Sequence, residues 1–372
     1  MKIAYVYDAV YPWVKGGAEK RVYEIAKRLV EKGHEVHWFG IKWWDGEQNI
    51  VRDGVHLHGI GKWGNLYVNE RRSIKEGLYF GIKTLLKLKG DFDVIDCQNA
   101  PYFSCFSAKV LSLVRRSKLV ITWHEVWGKD YWFEYLGKKG IFGWSVEKLT
   151  SKLTEGNIAV SESTKNDLER VGVRNIEVIP NGIDFGRIAG IKTTKEHSDI
   201  IFAGRLIKEK NVEVLIKAVE LVKKEIQDVK CIIIGEGPEK SKLERLVYDL
   251  RLEDNIKFVG FLEDYDDVIS YMKSSEIFIL PSTREGFGIV ALEANACGLP
   301  VVTVNHKRNA VCDFIRNENG IVCELSEKEI RKGILVTLNR KREMKRKCIE
   351  SAKWYDWGKI VCLIEKVYEE GI

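Results

Sequence analysis

The chain has 372 residues, 45% hydrophobic and 31% charged, which excludes a disordered segment and exceeds the roughly 250–300 residues that one hydrophobic core sustains. Its net charge of +6 suits an anionic small molecule, a nucleic acid or an anionic membrane surface without choosing among them. The eight cysteines include no Cys-x-x-Cys pair, which argues against a zinc or redox motif and for a reducing, cytosolic compartment.

The chain opens on a strand pattern over residues 3–7, too short for the apolar region of a signal peptide, and no apolar run approaches the roughly 18–20 residues of a membrane span. Residues 18–32 place Val22, Ile25, Ala26 and Leu29 at helical spacing, and Gly33 stops the helix. Further buried strands are predicted at 35–39, 94–97, 119–123 and 157–160. The close pairs His34/His37 and His56/His58 read as residues flanking strands, not metal ligands. After the turn Pro180-Asn181-Gly182, the polar run 192–198 reads as a linker. The pattern then restarts, with strands at 200–203, 231–234, 277–280 and 299–303 and a helix at 212–224. Cys231 and Cys297 read as small core residues. Strand–helix alternation of this kind predicts two α/β domains, each a doubly wound parallel sheet.

The strongest local signal is Pro281-Ser282-Thr283-Arg284-Glu285-Gly286-Phe287-Gly288, which follows a buried strand and opens a helix containing Glu293. Ligands bind at the carboxyl ends of strands in such sheets. The glycines admit close backbone approach, and a helix N-terminus favours an anion. Glu285 and Glu293 can therefore face one pocket and accept hydrogen bonds from vicinal sugar hydroxyls. Spacing alone equally allows Glu285 as a helix cap and Glu293 in solvent. Arg205 and Lys210, just past the strand at 200–203, suit a phosphate or a solvated face. His124 closes the strand at 119–123 and is either a site residue or a structural one.

The span Glu285 to Glu293, with seven residues between the acids, resembles the paired-glutamate motif of glycosyltransferase family 4. The continuation to Val302, Ala203-Gly204-Arg205-Leu206 with Lys210, Gly235-Glu236-Gly237-Pro238, Asn181-Gly182-Ile183-Asp184 and Gly16-Gly17-Ala18-Glu19 resemble the same family in order and spacing. The resemblance implies a GT-B fold: two Rossmann-like α/β domains facing across a cleft, at 1–185 and 186–350, with a terminal helix at 351–372 crossing back to the first. It implies a retaining, metal-independent hexosyltransferase that uses a nucleotide-diphosphate sugar and no further cofactor. Its acceptor is then a glycan or a lipid-linked glycan, as in cell-surface polysaccharide or glycoconjugate synthesis. By position, Glu293 holds the donor ribose, Glu285 contacts the transferred sugar, and Arg205 and Lys210 hold the diphosphate. Gly16 and Gly17 offer amides to the donor phosphate, Gly235 and the loop Gly286-Phe287-Gly288 line the donor site, and His124 touches the donor sugar. The resemblance also implies that the leaving phosphate takes the acceptor's proton on the same face, so no general base is assigned.

Asp264-Tyr265-Asp266 matches a metal-binding Asp-x-Asp pattern but precedes a helix and reads as a cap. Two basic, aromatic segments suit either a lipid interface, which would place the protein at the inner face of the cell membrane, or core-facing helices with solvated lysines. One runs from Arg71 and Arg72 through Leu78, Phe80, Ile82, Leu85 and Leu86, the other spans residues 129–152. Trp43, Trp44, Trp63 and Trp127 could stack on a sugar or fill a core. A non-catalytic nucleotide-sugar-binding subunit is the alternative reading, and a phosphorylase or epimerase on the same fold follows it. Nucleic-acid binding ranks last for want of a concentrated basic motif.

Overall fold

The computed structural model describes residues 1–68 and 71–370, with the side chains of Tyr67, Val68 and Arg71 outside the description. The chain divides into two compact units, Met1–Asn181 with Trp357–Ile372, and Gly182–Asp356.

The first unit runs β1 (Lys2–Val6), α1 (Gly17–Glu31), β2 (Glu35–Ile41), β3 (Asn49–Arg52), β4 (Val55–Gly61), the short pair β5 (Tyr67–Val68) and β6 (Arg71–Arg72), then α2 (Ile74–Lys87) and β7 (Val94–Gln98). It continues with α3 (Phe103–Arg115), β8 (Lys118–Trp123), α4 (Gly128–Leu136), α5 (Gly140–Thr150), β9 (Gly156–Ala159), α6 (Glu162–Arg170) and β10 (Ile176–Val178). Among the described residues its main sheet has the order β10-β9-β8-β7-β1-β2-β4-β3. All pairings are parallel except β3 with β4. The strand order therefore reverses between β1 and β7, and ligands of such sheets bind at that switch point.

Alternation along β1 sets the two layers. Ile3, Tyr5 and Tyr7 pack with Val22, Ile25, Ala26 and Leu29 of α1, while Ala4 and Val6 join Phe80 of α2 and Cys105, Ala108 and Leu111 of α3. Gly33, at φ +90°, supplies the left-handed residue that ends α1. His37 lies inside β2, and His56 and His58 lie inside β4, so these histidines are strand residues and not the flanking ones expected.

The second unit holds α7 (Phe185–Gly190), β11 (Ser198–Ala203), α8 (Val212–Lys223), β12 (Cys231–Ile234), α9 (Lys240–Asp249), β13 (Ile256–Gly260), α10 (Tyr265–Lys273) and β14 (Ser275–Leu280). It closes with α11 (Ile289–Ala296), β15 (Val301–Val304), β16 (Gly320–Cys323) and α12 (Glu327–Ala352). Its parallel sheet has the order β13-β12-β11-β14-β15-β16, with the reversal between β11 and β14. Apolar residues run without a break through β12 and the end of β14, as strands covered on both faces require. The last helix, α13 (Trp357–Glu370), belongs to the first unit, where Trp357, Ile360, Val361, Ile364 and Val367 join the α1 layer.

The run 192–198, expected as a linker, lies instead within the second unit. Its polar residues are tied down: Ser270 Oγ donates to the Lys192 carbonyl, Ser274 Oγ donates to the Thr194 carbonyl, and Glu196 pairs with Lys257 at 2.6 Å.

Candidate active site

In the second unit the candidate residues stand on the two loops that leave the switch point. Gly204 and Arg205 follow β11, and Arg205 is exposed. A 3-10 turn, Lys208–Lys210, comes next. The loop after β14 is laced onto it. Thr283 N donates to the Glu209 carbonyl at 2.9 Å, and Asn211 Nδ2 donates to the Pro281 carbonyl at 3.0 Å. Glu285 N donates to the Arg308 carbonyl at 2.8 Å, and Ala310 N donates to the Glu285 carbonyl at 2.9 Å. This lacing brings Lys210 and Glu285 together as an ion pair, with only 15% and 11% of the two side chains exposed. Lysine has three donors, so Lys210 can keep Glu285 and still face a phosphate.

Gly288 precedes α11 at φ +83°, and a Cβ there would lie 2.2 Å from Val311 Cγ2. The amides at the start of α11 are thus presented by a backbone only glycine adopts freely. Phe287 turns inward, stacking on Phe314 at 5.3 Å between ring centroids, so it can offer a ligand its backbone and not its ring. Glu293, in α11, is buried, which sets aside a solvated role. Its carboxylate takes a hydrogen bond from Tyr265, the first residue of α10, and burial with that negative neighbour pushes the Tyr265 hydroxyl's pKa up. Sequence reasoning missed Tyr265, because nothing in the spacing links it to Glu293. Asp264 caps α10 by accepting from Asp266 N, as expected from its place before a helix.

Gly235 and Gly237 stand in close backbone contact with the loop after β11. A Cβ at Gly235 would lie 1.9 Å from the Gly204 carbonyl oxygen, and one at Gly237 would lie 2.3 Å from that of Leu206. Leu206 N donates to the Glu236 carbonyl at 2.9 Å. The two glycines therefore let this loop lie directly against the backbone that carries Arg205.

In the first unit, Gly16 and Gly17 are exposed at the start of α1, and a helix N-terminus favours an anion. Glu19 folds back beneath Gly16, and Tyr7 Oη donates to Glu19 Oε1 at 3.2 Å. Arg72 grips Asp8 with Nη2 at 2.8 and 2.7 Å from its two oxygens. No donor is aimed at either oxygen of buried Glu76, and burial, then the Asp8 charge and a hydrogen bond shared with Asp8, push its pKa up to about 9. His124 lies one residue past β8. Its backbone N–H donates to Asn99 Oδ1 at 3.0 Å, its Nε2 is 2.8 Å from Gln98 Oε1, and its ring stacks on Tyr7 at 6.3 Å. Burial, with the nearby Arg21 charge, lowers the His124 pKa to about 3 and keeps the ring neutral.

The tryptophans are largely packing residues. Trp43 Nε1 donates to the Asp8 carbonyl, Trp44 is buried, and Trp127 lies among Tyr131, Trp132 and Tyr135. Glu147 ties this aromatic cluster by accepting from Tyr102 Oη, Trp132 Nε1 and the amides of Trp127 and Gly128. The basic amphipathic helices are not simply core-facing. Phe80 is buried, but Ile74, Leu78, Ile82, Leu85 and Leu86 of α2 and Phe142 of α5 are exposed. Among the described residues no helix is long and apolar enough to cross a membrane.

Residues 15–187 match the family described as Glycosyltransferase Family 4, and residues 188–354 match Glycosyl transferases group 1. A glycosyltransferase of Haemophilus influenzae, itself uncharacterized, is 32% identical over 332 residues, 87% of each chain. The phosphatidyl-myo-inositol mannosyltransferase of Propionibacterium freudenreichii is 28% identical over 330 residues, 82% of this chain and 77% of that one. The solved structure of Anabaena Alr3699/HepE in complex with UDP and glucose superposes with a TM-score of 0.76 at 20% identity, covering 100% of both chains. These matches and the two predominantly parallel, doubly wound sheets agree, and the chain belongs to glycosyltransferase family 4, with the GT-B fold.

Proposed function

We propose that the protein transfers a hexosyl unit, with retention and without a metal ion, from a nucleotide-diphosphate sugar to a glycan or lipid-linked acceptor. The observation that carries this reading is the Lys210–Glu285 pair at the switch point of the second sheet, beside exposed Arg205. Cleaving a glycosyl phosphate bond puts charge on the departing diphosphate. Fixed cations and helix-start amides aimed at that charge lower the barrier. Arg205 and Lys210 are those cations in this chain, and Gly286, Phe287 and Gly288 lead into the amides of α11.

Glu285 accepts from hydroxyls of the transferred sugar, and buried Glu293, kept in place by Tyr265, accepts from the ribose hydroxyls. Gly16 and Gly17 give amides to the donor phosphate, and His124 contacts the sugar. The leaving phosphate takes the acceptor's proton on the face it vacates, so retention needs no protein base. The Anabaena structure holds UDP and glucose, which supports a nucleotide-sugar donor. The Propionibacterium relative is by name a phosphatidyl-myo-inositol mannosyltransferase, which supports a lipid-linked acceptor. The exposed aliphatic stripe of α2, with Lys75, Lys83, Lys87 and Lys89 beside it, supports peripheral contact with an anionic cytoplasmic leaflet.

Donor binding and hydrolysis across UDP-, GDP-, ADP- and TDP-sugars, in a chelator and with Glu293→Ala beside wild type, tests this. One donor turned over by wild type and lost in the variant is the expected result. Binding without turnover of any donor would point to the non-catalytic subunit instead.

A further inference from the structure

Tyr5, Asp96, Gln98 and Thr122 lie on one face of the first sheet, where the register sets Tyr5 beside Asp96 and Gln98 beside Thr122. That face packs against α1 and α13 and is otherwise apolar. Asp96 and Gln98 are each 1% exposed, so every polar atom there needs a partner. The partners form a file. Tyr368 Oη, from α13, donates to Asp96 Oδ2 at 2.5 Å, and Thr122 Oγ1 donates to Asp96 Oδ1 at 2.9 Å. Gln98 Nε2 donates to Asp96 Oδ1 at 2.8 Å, and Gln98 Oε1 then faces His124 Nε2 at 2.8 Å.

The proton placement follows from the chemistry of each group. Three donors converge on Asp96, which suits an ionised carboxylate and gives Gln98 only one orientation, amide nitrogen toward Asp96. A flipped amide would set its oxygen against a carboxylate oxygen. Gln98 Oε1 can only accept, so the His124 nitrogen facing it must carry hydrogen. The charged groups around the file are Asp96 on β7 and Arg21 on α1, with Tyr5 on β1 and Tyr368 on α13 as the other titratable ones. Arg21 and burial both disfavour an imidazolium. The ring is therefore neutral with hydrogen on Nε2, and Nδ1 is a bare acceptor with no hydrogen bond among the described residues.

We infer that Gln98, oriented by Asp96, is a positioning residue that fixes His124 as the Nε2–H tautomer, so that Nδ1 accepts a hydrogen bond from a sugar hydroxyl. The sugar contact rests on the placement of His124 in the proposed function, whereas the tautomer does not. Tyr368 ties α13 into the same file, so the terminal helix holds this histidine through Asp96 and Gln98.

The test is ring ¹⁵N spectroscopy of the full chain labelled at histidine, with His124 assigned by loss of its signals in His124→Asn. At neutral pH the wild type is expected to show hydrogen on Nε2 and none on Nδ1. Asp96→Asn offers Gln98 a donor, lets the amide flip, and brings in the Nδ1–H form with about a tenfold fall in kcat/KM for the donor. A wild-type ring with hydrogen on Nδ1 overturns the inference without any variant having to fold, and so does an Asp96→Asn spectrum identical to wild type. Full turnover in His124→Ala overturns the sugar contact alone, so failure of the functional reading and failure of the tautomer assignment are read separately.

Discussion

Lys210 and Glu285 form an ion pair across 75 residues of sequence, each carried by the loop that leaves one of two adjacent strands. The pair is mostly shielded from water, so removing one member strands the other. Lys210→Met is expected to lower the melting temperature and to cut kcat by about 10²–10³-fold, as loss of a transition-state charge contact does. The double variant Lys210→Met/Glu285→Gln restores stability because no lone charge remains, but it does not restore turnover. Thermal unfolding and donor kinetics on the three proteins separate the two effects. Recovery of activity in the double variant would make the pair structural only.

Gly235 gives a purely steric prediction. Its φ is +141°, and a Cβ would sit 1.9 Å from a carbonyl oxygen. Gly235→Ala must therefore push the loop off the 204–206 backbone, at about 2–4 kcal/mol of stability and with weaker donor binding. Gly186→Ala is the control. Its Cβ meets nothing nearer than 3.8 Å, within α7, and alanine there should leave the unit as stable or slightly more so. Equal melting temperatures for the two variants would refute the steric account.

The architecture was legible because burial leaves a periodic trace. The continuous apolar run over 231–234 and the stop at Gly33 read directly as a covered strand and a helix end. Other elements leave weaker traces. β3 is four mostly exposed residues, Asn49-Ile50-Val51-Arg52, and β4 carries two histidines and two glycines, so neither looks like a buried strand. The site was legible where its residues lie in one loop, as Glu285 to Gly288 do. It was not legible where a contact joins distant elements. Nothing local announces that Tyr265 reaches Glu293, that Gln98 faces His124, or that Glu147 ties the loop at Trp127. Such pairs are created by strand order, which no short window of sequence contains.

The buried carboxyl of Glu76 predicts a pH dependence with a definite sign. Burial first, then the Asp8 charge, raises its pKa to about 9. The folded state therefore holds a proton that the unfolded chain, with an ordinary carboxyl, has lost above about pH 4.5. The stabilising share of that proton is complete in acid and is lost as pH rises through the folded pKa. Glu76→Gln keeps a neutral group of the same shape, so its melting temperature should exceed that of wild type at pH 8–9, by a margin that shrinks toward pH 5. A margin independent of pH would show that Glu76 does not change its charge on unfolding.

Ile74, Leu78, Ile82, Leu85 and Leu86 recur at helical spacing on the outer side of α2, while Phe80, Gly81 and Thr84 face the core. Lysines at 75, 83, 87 and 89 flank the stripe, and Lys83 lies over the Tyr79 ring at 5.3 Å. Exposed aliphatics with a basic rim gain most where an apolar phase meets anionic headgroups. Wild type is expected to co-sediment with vesicles containing phosphatidylglycerol and to be released by salt, since screening weakens the lysine contribution. Leu78→Glu/Leu86→Glu should stay in the supernatant at an unchanged melting temperature, because both side chains already stand in water. If wild type fails to bind anionic vesicles, the stripe is not a membrane surface. If the double variant binds as well as wild type, α2 is not the element that docks.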